Sequence, residues 1–129
     1  MTKRFTIRQL ADEFDVTTRT LRFYEERGLL NPTRVNTTRS YSSADRTRLR
    51  LILRGRRLGL SLEESSAIVL MYDPTSANTD QLNTLIAKIR EKRAQLLQQQ
   101  NDLELMLLDL NDAEERCLDA LSAEPAHQA

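Results

Sequence analysis

The sequence predicts a mostly helical protein: short helices and one small hairpin form a head, and a long coiled-coil helix follows. Three observations predict it. Capping-box spacings at Thr6 and Ser61 open amphipathic helices. Asp15 stands at a tight turn between two short helices. An apolar residue recurs at every seventh position from Leu82 to Cys117.

In chain order, Thr6-Ile7-Arg8-Gln9 places a hydroxyl and then Gln three residues on, and Ile7, Leu10, Ala11 and Phe14 follow at helical spacing. That helix stops at Phe14-Asp15-Val16, where the turn calls for positive φ, which Asp tolerates. Thr17 caps a second helix running to Glu26, Gly28 follows as its C′ residue, and Pro32 prevents a restart. Two short helices joined in this way make a helix-turn-helix. From Asn31 to Ser43 the composition turns to Asn, Pro, Thr, Arg and Ser, and Thr37–Tyr41 reads as one strand of a small hairpin. A helix resumes near Ser43 with Leu49, Ile52 and Leu53, and ends by Gly59. Ser61-Leu62-Glu63-Glu64 opens another, which Asp73-Pro74 closes.

From Asp80 to Pro125 there is neither Gly nor Pro. Leu82, Ile89, Leu96, Leu103, Leu110 and Cys117 form an a-type series, and Leu85, Lys92, Gln99, Met106, Ala113 and Ala120 the d-type series. A helix of about 40 residues is about 60 Å long and would expose this seam in water, so it needs a second copy of itself or must fold back on its head. The polar middle, Lys92 and Gln99, either fixes register or sits at the rim. The expected organisation is a head over 1–73, a linker over 74–79, a dimerisation helix over 80–122 and a flexible tail over 123–129.

The formal net charge of zero conceals a split. Residues 1–60 hold fourteen bases and six acids, a balance of +8, and residues 61–129 hold five bases and thirteen acids, −8. Thirteen of the fourteen bases are Arg, whose planar fork suits phosphates and guanine edges. A polyanion partner for the first half is the functional reading; a solvated basic face is the plainer one. No apolar run reaches 18 residues and none follows Met1–Phe5, so neither a membrane span nor a signal peptide is expected and the expected address is cytoplasmic. The lone Cys117 excludes an internal disulfide framework.

The run Thr20-Leu21-Arg22-Phe23-Tyr24-Glu25-Glu26-Arg27-Gly28-Leu29-Leu30, with Arg39-Ser40-Tyr41 and the long helix behind them, resembles the MerR family of transcription regulators from Phe5 to about Tyr72. Asn36-Thr37-Thr38 departs from the family's Asn-Gly wing tip, and Asp15 from the Gly of its helical turn. The resemblance implies a winged helix-turn-helix head and an antiparallel coiled-coil homodimer on a near-palindromic promoter operator, bending double-stranded DNA for RNA polymerase. It places Thr17, Thr18 and Arg19 at base edges, and Arg22 and Tyr24 at phosphates, with core packing the other role open to Tyr24. The wing, Arg34 to Tyr41, would lie against the backbone, with Arg39 on a phosphate and Tyr41 either a contact or an anchor. Arg56 and Arg57 either reach flanking phosphates or form a solvated helix end.

A narrower resemblance, carried by Thr37–Tyr41, Arg46–Leu60 and Met71-Tyr72-Asp73-Pro74, points to regulators of leucine, isovalerate and fatty-acyl degradation. It implies an organic effector such as an acyl-CoA. Soft-metal sensing needs several thiolate or imidazole ligands. This chain has one Cys and one His, His127, in the tail, so no metal site, no cofactor and no redox switch are expected. No nucleophile–base pair or phosphate loop is present, so no enzyme is expected. A metal- or redox-responsive regulator of the same family, an effector-free DNA-bending protein and a coiled-coil adaptor remain the alternatives.

Overall fold

A computed structural model describes residues 3–123, so the tail with His127 lies outside the described residues. The chain forms β1 (Arg4–Phe5), α1 (Ile7–Phe14), α2 (Thr18–Glu26), β2 (Thr33–Val35), β3 (Thr38–Ser42), α3 (Ser43–Arg57), α4 (Leu62–Leu70) and α5 (Thr79–Ala123). Thr6 caps α1 with the full reciprocal pair: its hydroxyl accepts from Gln9 N at 3.0 Å, and its own N–H donates to Gln9 Oε1 at 2.8 Å. Asp15 ends α1 at φ 54°, ψ 48°, and Gly28 follows α2 at φ 75°. Ser61 and Glu64 close the same box at the start of α4. A third box, Ser42 with Asp45, opens α3.

The hairpin has a third strand that the sequence reading did not foresee. The order is β1-β3-β2, all antiparallel, with Phe5 opposite Tyr41 and Arg34 opposite Arg39. Arg4 fastens the edge, its guanidinium donating to Thr33 Oγ1 and to the Ser40 carbonyl, both at 2.7 Å. Asn36 supplies positive φ, 62°, at the tip.

The head's core gathers Leu10, Leu21, Tyr24, Leu29, Leu30, Tyr41, Leu49, Ile52 and Val69. Each fully buried Leu stabilises the head by about 1.5–3 kcal/mol. Asp45, 2% exposed, accepts from Asn31 N at 3.1 Å and from Ser42 N at 3.4 Å, tying the loop after α2 to the cap of α3. At Gly55 of α3 a Cβ would fall inside contact distance of the buried Ser65 hydroxyl of α4, so glycine permits this close crossing.

The chain divides into two compact units, the first ending at Ile89 and the second beginning at Arg90, and the expected linker at 74–79 falls within the first. That linker is an ordered turn. The Asp73 carboxylate accepts from Thr75 N and Oγ1, which holds its pKa below the usual value. Asn78, at φ 58°, donates to the Asp73 and Ser76 carbonyls, and its side-chain oxygen accepts from Asp73 N at 2.8 Å. Gln81 is buried, donating to the Ile68 carbonyl at 2.9 Å. Leu85, expected on the dimer seam, is half-buried and lines a small void with Leu51, Leu60 and Ile68. Ile89 is half-buried, whereas Leu82, Leu96, Leu103, Leu110 and Cys117 are exposed.

Candidate nucleic-acid interface

Helix α2 begins at the Thr17 cap, whose hydroxyl accepts from Thr20 N at 3.1 Å and pairs with Thr20 Oγ1 at 3.0 Å. Its exposed face carries Arg19, Arg22, Phe23 and Glu26, spaced as one helical stripe, while Leu21 and Tyr24 turn into the core. Thr18 is half-buried. Arg27 lies over the Phe23 ring, 5.1 Å from its centroid, holding the aromatic in place.

The end of α3 approaches the start of α2. Arg19 and Arg56 line one cleft of about 430 Å³, together with Thr17, Thr20, Phe23 and Leu62. A second cleft of about 630 Å³ is lined by Phe14, Val16, Arg50, Arg54, Arg56 and Arg57. Arg56 thus borders both and faces the same space as Arg19. Arg54, Arg56 and Arg57 also stand in the last turn of α3, where the helix dipole favours cations.

The wing is tied to α2 by charge. Arg39 Nε donates to Glu25 Oε2 at 2.7 Å, and Arg34 Nη2 stands 3.9 Å from Glu25 Oε1. Tyr41 is wholly buried; burial first, then the Glu25 charge, pushes its hydroxyl up to about 12. Of its two possible roles, this packing matches the anchor. Tyr24, 3% exposed, likewise packs in the core, in contact with the Phe23 ring at 5.7 Å between centroids. Near the start of α3, Arg46 covers the Phe5 ring and pairs with Glu13 of α1, an acid that also borders the second cleft. Its hydrogen bond lowers the Glu13 pKa and raises its own. Sequence reasoning missed Glu25 and this Glu13–Arg46 pair, since neither is spaced as a helical i,i+4 partner.

The charged groups therefore gather on α2, the wing and the end of α3, around a helix-turn-helix. Residues 5–71 match the family model described as MerR HTH family regulatory protein, and residues 46–113 match the one described as MerR, DNA binding. The chain belongs to the MerR family. The HTH-type transcriptional regulator HmrR of Rhizobium leguminosarum bv. viciae is 32% identical over 103 residues, covering 76% of this chain and 80% of that protein. The mercuric resistance operon regulatory protein of Pseudomonas fluorescens is 33% identical over 100 residues, 73% and 68% of the two chains. The crystal structure of a MerR family transcriptional regulator from Bacillus cereus superposes with a TM-score of 0.61 at 25% identity, over 95% of this chain and 86% of that one.

Family and relatives are DNA-binding transcriptional regulators, not enzymes. One relative is named for mercuric resistance, and the narrower resemblance to leucine and isovalerate regulators finds no support among these matches. Among the described residues no group of three or more His, Cys, Asp or Glu is placed to hold a metal ion, and no helix is long and apolar enough to cross a membrane.

Proposed function

We propose that the chain is a homodimeric regulator whose two heads read the halves of a near-palindromic promoter operator. The observation that carries this is the bare apolar row on α5: Leu96, Leu103 and Leu110 are each about 60% exposed in the protomer. Leucines at seven-residue spacing on a helix of 45 residues call for a partner helix. A two-fold pair of such helices would carry two basic heads, and two-fold symmetry in the protein implies the same in its site. Each head would place Thr17, Thr18 and Arg19 at base edges. Arg22, Arg34, Arg39, Arg56 and Arg57 would serve as phosphate donors. Tyr24 and Tyr41 would support these groups from the core. Bending of the promoter would then alter its use by RNA polymerase.

Light scattering and operator binding on a variant with Leu96→Asp and Leu103→Asp test the dimer. The expected result is a folded monomer that no longer holds its operator, and a persisting dimer would place the seam elsewhere. Arg22→Ala tests the docking. Loss of one phosphate contact should weaken binding to operator and random DNA alike and reduce the salt slope by about 0.9.

The effector in this reading is an organic metabolite, an acyl-CoA being the candidate from the narrower resemblance. One thiol per chain gives a soft metal too few ligands. The name of the mercuric resistance relative favours a metal as the second reading. Operator release by wild-type and Cys117→Ser protein against zinc, copper, mercuric ion, peroxide and a panel of acyl-CoAs separates them. Release by a metal that disappears in Cys117→Ser, with none by any acyl-CoA, overturns the first reading.

A further inference from the structure

We infer that Glu25 is a positioning residue that clips the wing to helix α2 and presents Arg39 end-on to a DNA phosphate. The inference rests on the proposed contact between wing and DNA backbone. A carboxylate on the helix that faces DNA is costly by itself, because it repels the phosphates. Its surroundings give the compensation. Arg34 and Arg39 are directly opposite one another across the β2–β3 pair. Like charges in that register push the strands apart. Glu25 stands between them, one carboxylate oxygen 2.7 Å from Arg39 Nε and the other 3.9 Å from Arg34 Nη2. One negative charge thereby offsets the repulsion within the hairpin and joins two elements of different sequence range.

The atoms used also matter. Arg39 is held through Nε, so its two terminal amino groups are the donors left for a phosphate. The side chain of Arg39 is 22% exposed and that of Glu25 23%, so solvent screens this pair less than an open surface pair. The wholly buried Tyr41 stands beside them, its hydroxyl close enough to feel the charges of both Glu25 and Arg39. Together these restrict the wing to one angle against the helix and the guanidinium to one approach.

Fluorescence anisotropy on an operator selected from random DNA by the full chain tests this, with Glu25→Gln, Arg39→Gln and the double variant. Glu25→Gln keeps size and removes a negative charge. A mere electrostatic bystander would therefore bind DNA more tightly after the change. The expected result is the opposite sign, a loss of about twofold to fivefold, the range of an ion pair worth up to about 1 kcal/mol. The loss should be absent when the change is made in the Arg39→Gln background. Amide exchange across residues 33–42 should quicken in Glu25→Gln. Tighter binding by Glu25→Gln, or an equal loss in both backgrounds, overturns the positioning role while leaving the wing contact standing. Wild-type affinity in Arg39→Gln and Arg34→Gln alike removes the wing contact itself, and the role of Glu25 with it.

Discussion

Replacing Gly55 with alanine reverses the usual sign of that substitution. In an unhindered helix interior Gly→Ala stabilises by about 1 kcal/mol, since alanine loses less backbone freedom. At Gly55 the new methyl would collide with Ser65 Oγ, stand 3.3 Å from Ser65 Cβ and 3.7 Å from Leu60 Cδ1. Ser65 is 4% exposed, so its hydroxyl cannot swing into solvent. Relief requires the Ser65 hydroxyl to turn to another buried rotamer and α3 and α4 to give by a few tenths of an ångström, and overpacking of this kind costs about 1–3 kcal/mol. The collision outweighs the helix gain, and a net loss of about 1 kcal/mol is expected. Urea unfolding followed by far-UV circular dichroism reads it, at one fixed protein concentration because association adds to apparent stability. In a Ser65→Gly background both close atoms are gone, and Gly55→Ala should there stabilise by about 1 kcal/mol. A Gly55→Ala protein as stable as wild type, or the same sign in both backgrounds, would refute the packing argument.

Asp15→Gly should raise stability by about 0.5–1 kcal/mol, read as a higher urea midpoint, because the residue sits at φ 54° and glycine adopts that conformation without strain. Glu13 is depressed below 4.5 chiefly by its hydrogen bond to Arg46, so its contribution is complete above that value and fades as pH falls through the lower folded one. Urea midpoints from pH 7 to pH 3 should therefore fall less steeply in Glu13→Gln; parallel curves would remove the pair from the acid response. Tyr41→Phe should leave operator affinity unchanged and shift stability by no more than about 1 kcal/mol, because the buried hydroxyl lies beside the Glu25 carboxylate without a hydrogen bond of full geometry. A several-fold loss of affinity would instead make that hydroxyl part of the DNA surface.

What was legible in the sequence was local. Thr6 with Gln9, Ser61 with Glu64, Asp15 at its turn and Gly28 after α2 all act within four residues, and the structure uses each as read. The seven-residue apolar repeat predicted α5 as one helix for the same reason: periodicity along the chain is enough. What was not legible depends on segments far apart. The strand Arg4–Phe5 is too short to show alternation, and only its pairing with Tyr41 and Ser42 defines it. Arg39 reads as a free phosphate donor until Glu25, fourteen residues earlier, is brought to it. Leu85 fits the d-type series by number, and nothing along the chain shows that it also borders Leu51 and Ile68. Gly55 inside a helix looks like a weakness until Ser65 is seen against it.

The closed turn between α4 and α5 sets where this chain tolerates added length. Loops of this kind commonly accept insertions, since lengthening a flexible connection costs little. Here the Asn78 side chain bonds both the N–H and the carbonyl of Asp73 across the segment, and Asn78 occupies the left-handed region. An extra residue would open that ring and leave the buried Gln81 amide out of reach of the Ile68 carbonyl. The wing tip at Asn36-Thr37 has no such closure among the described contacts and is exposed. That tip still belongs to the wing that the proposed function sets against DNA, so an added tag suits neither place, and the Asp73–Asn78 turn should be kept at its present length in any chimera that transplants this head onto another helix.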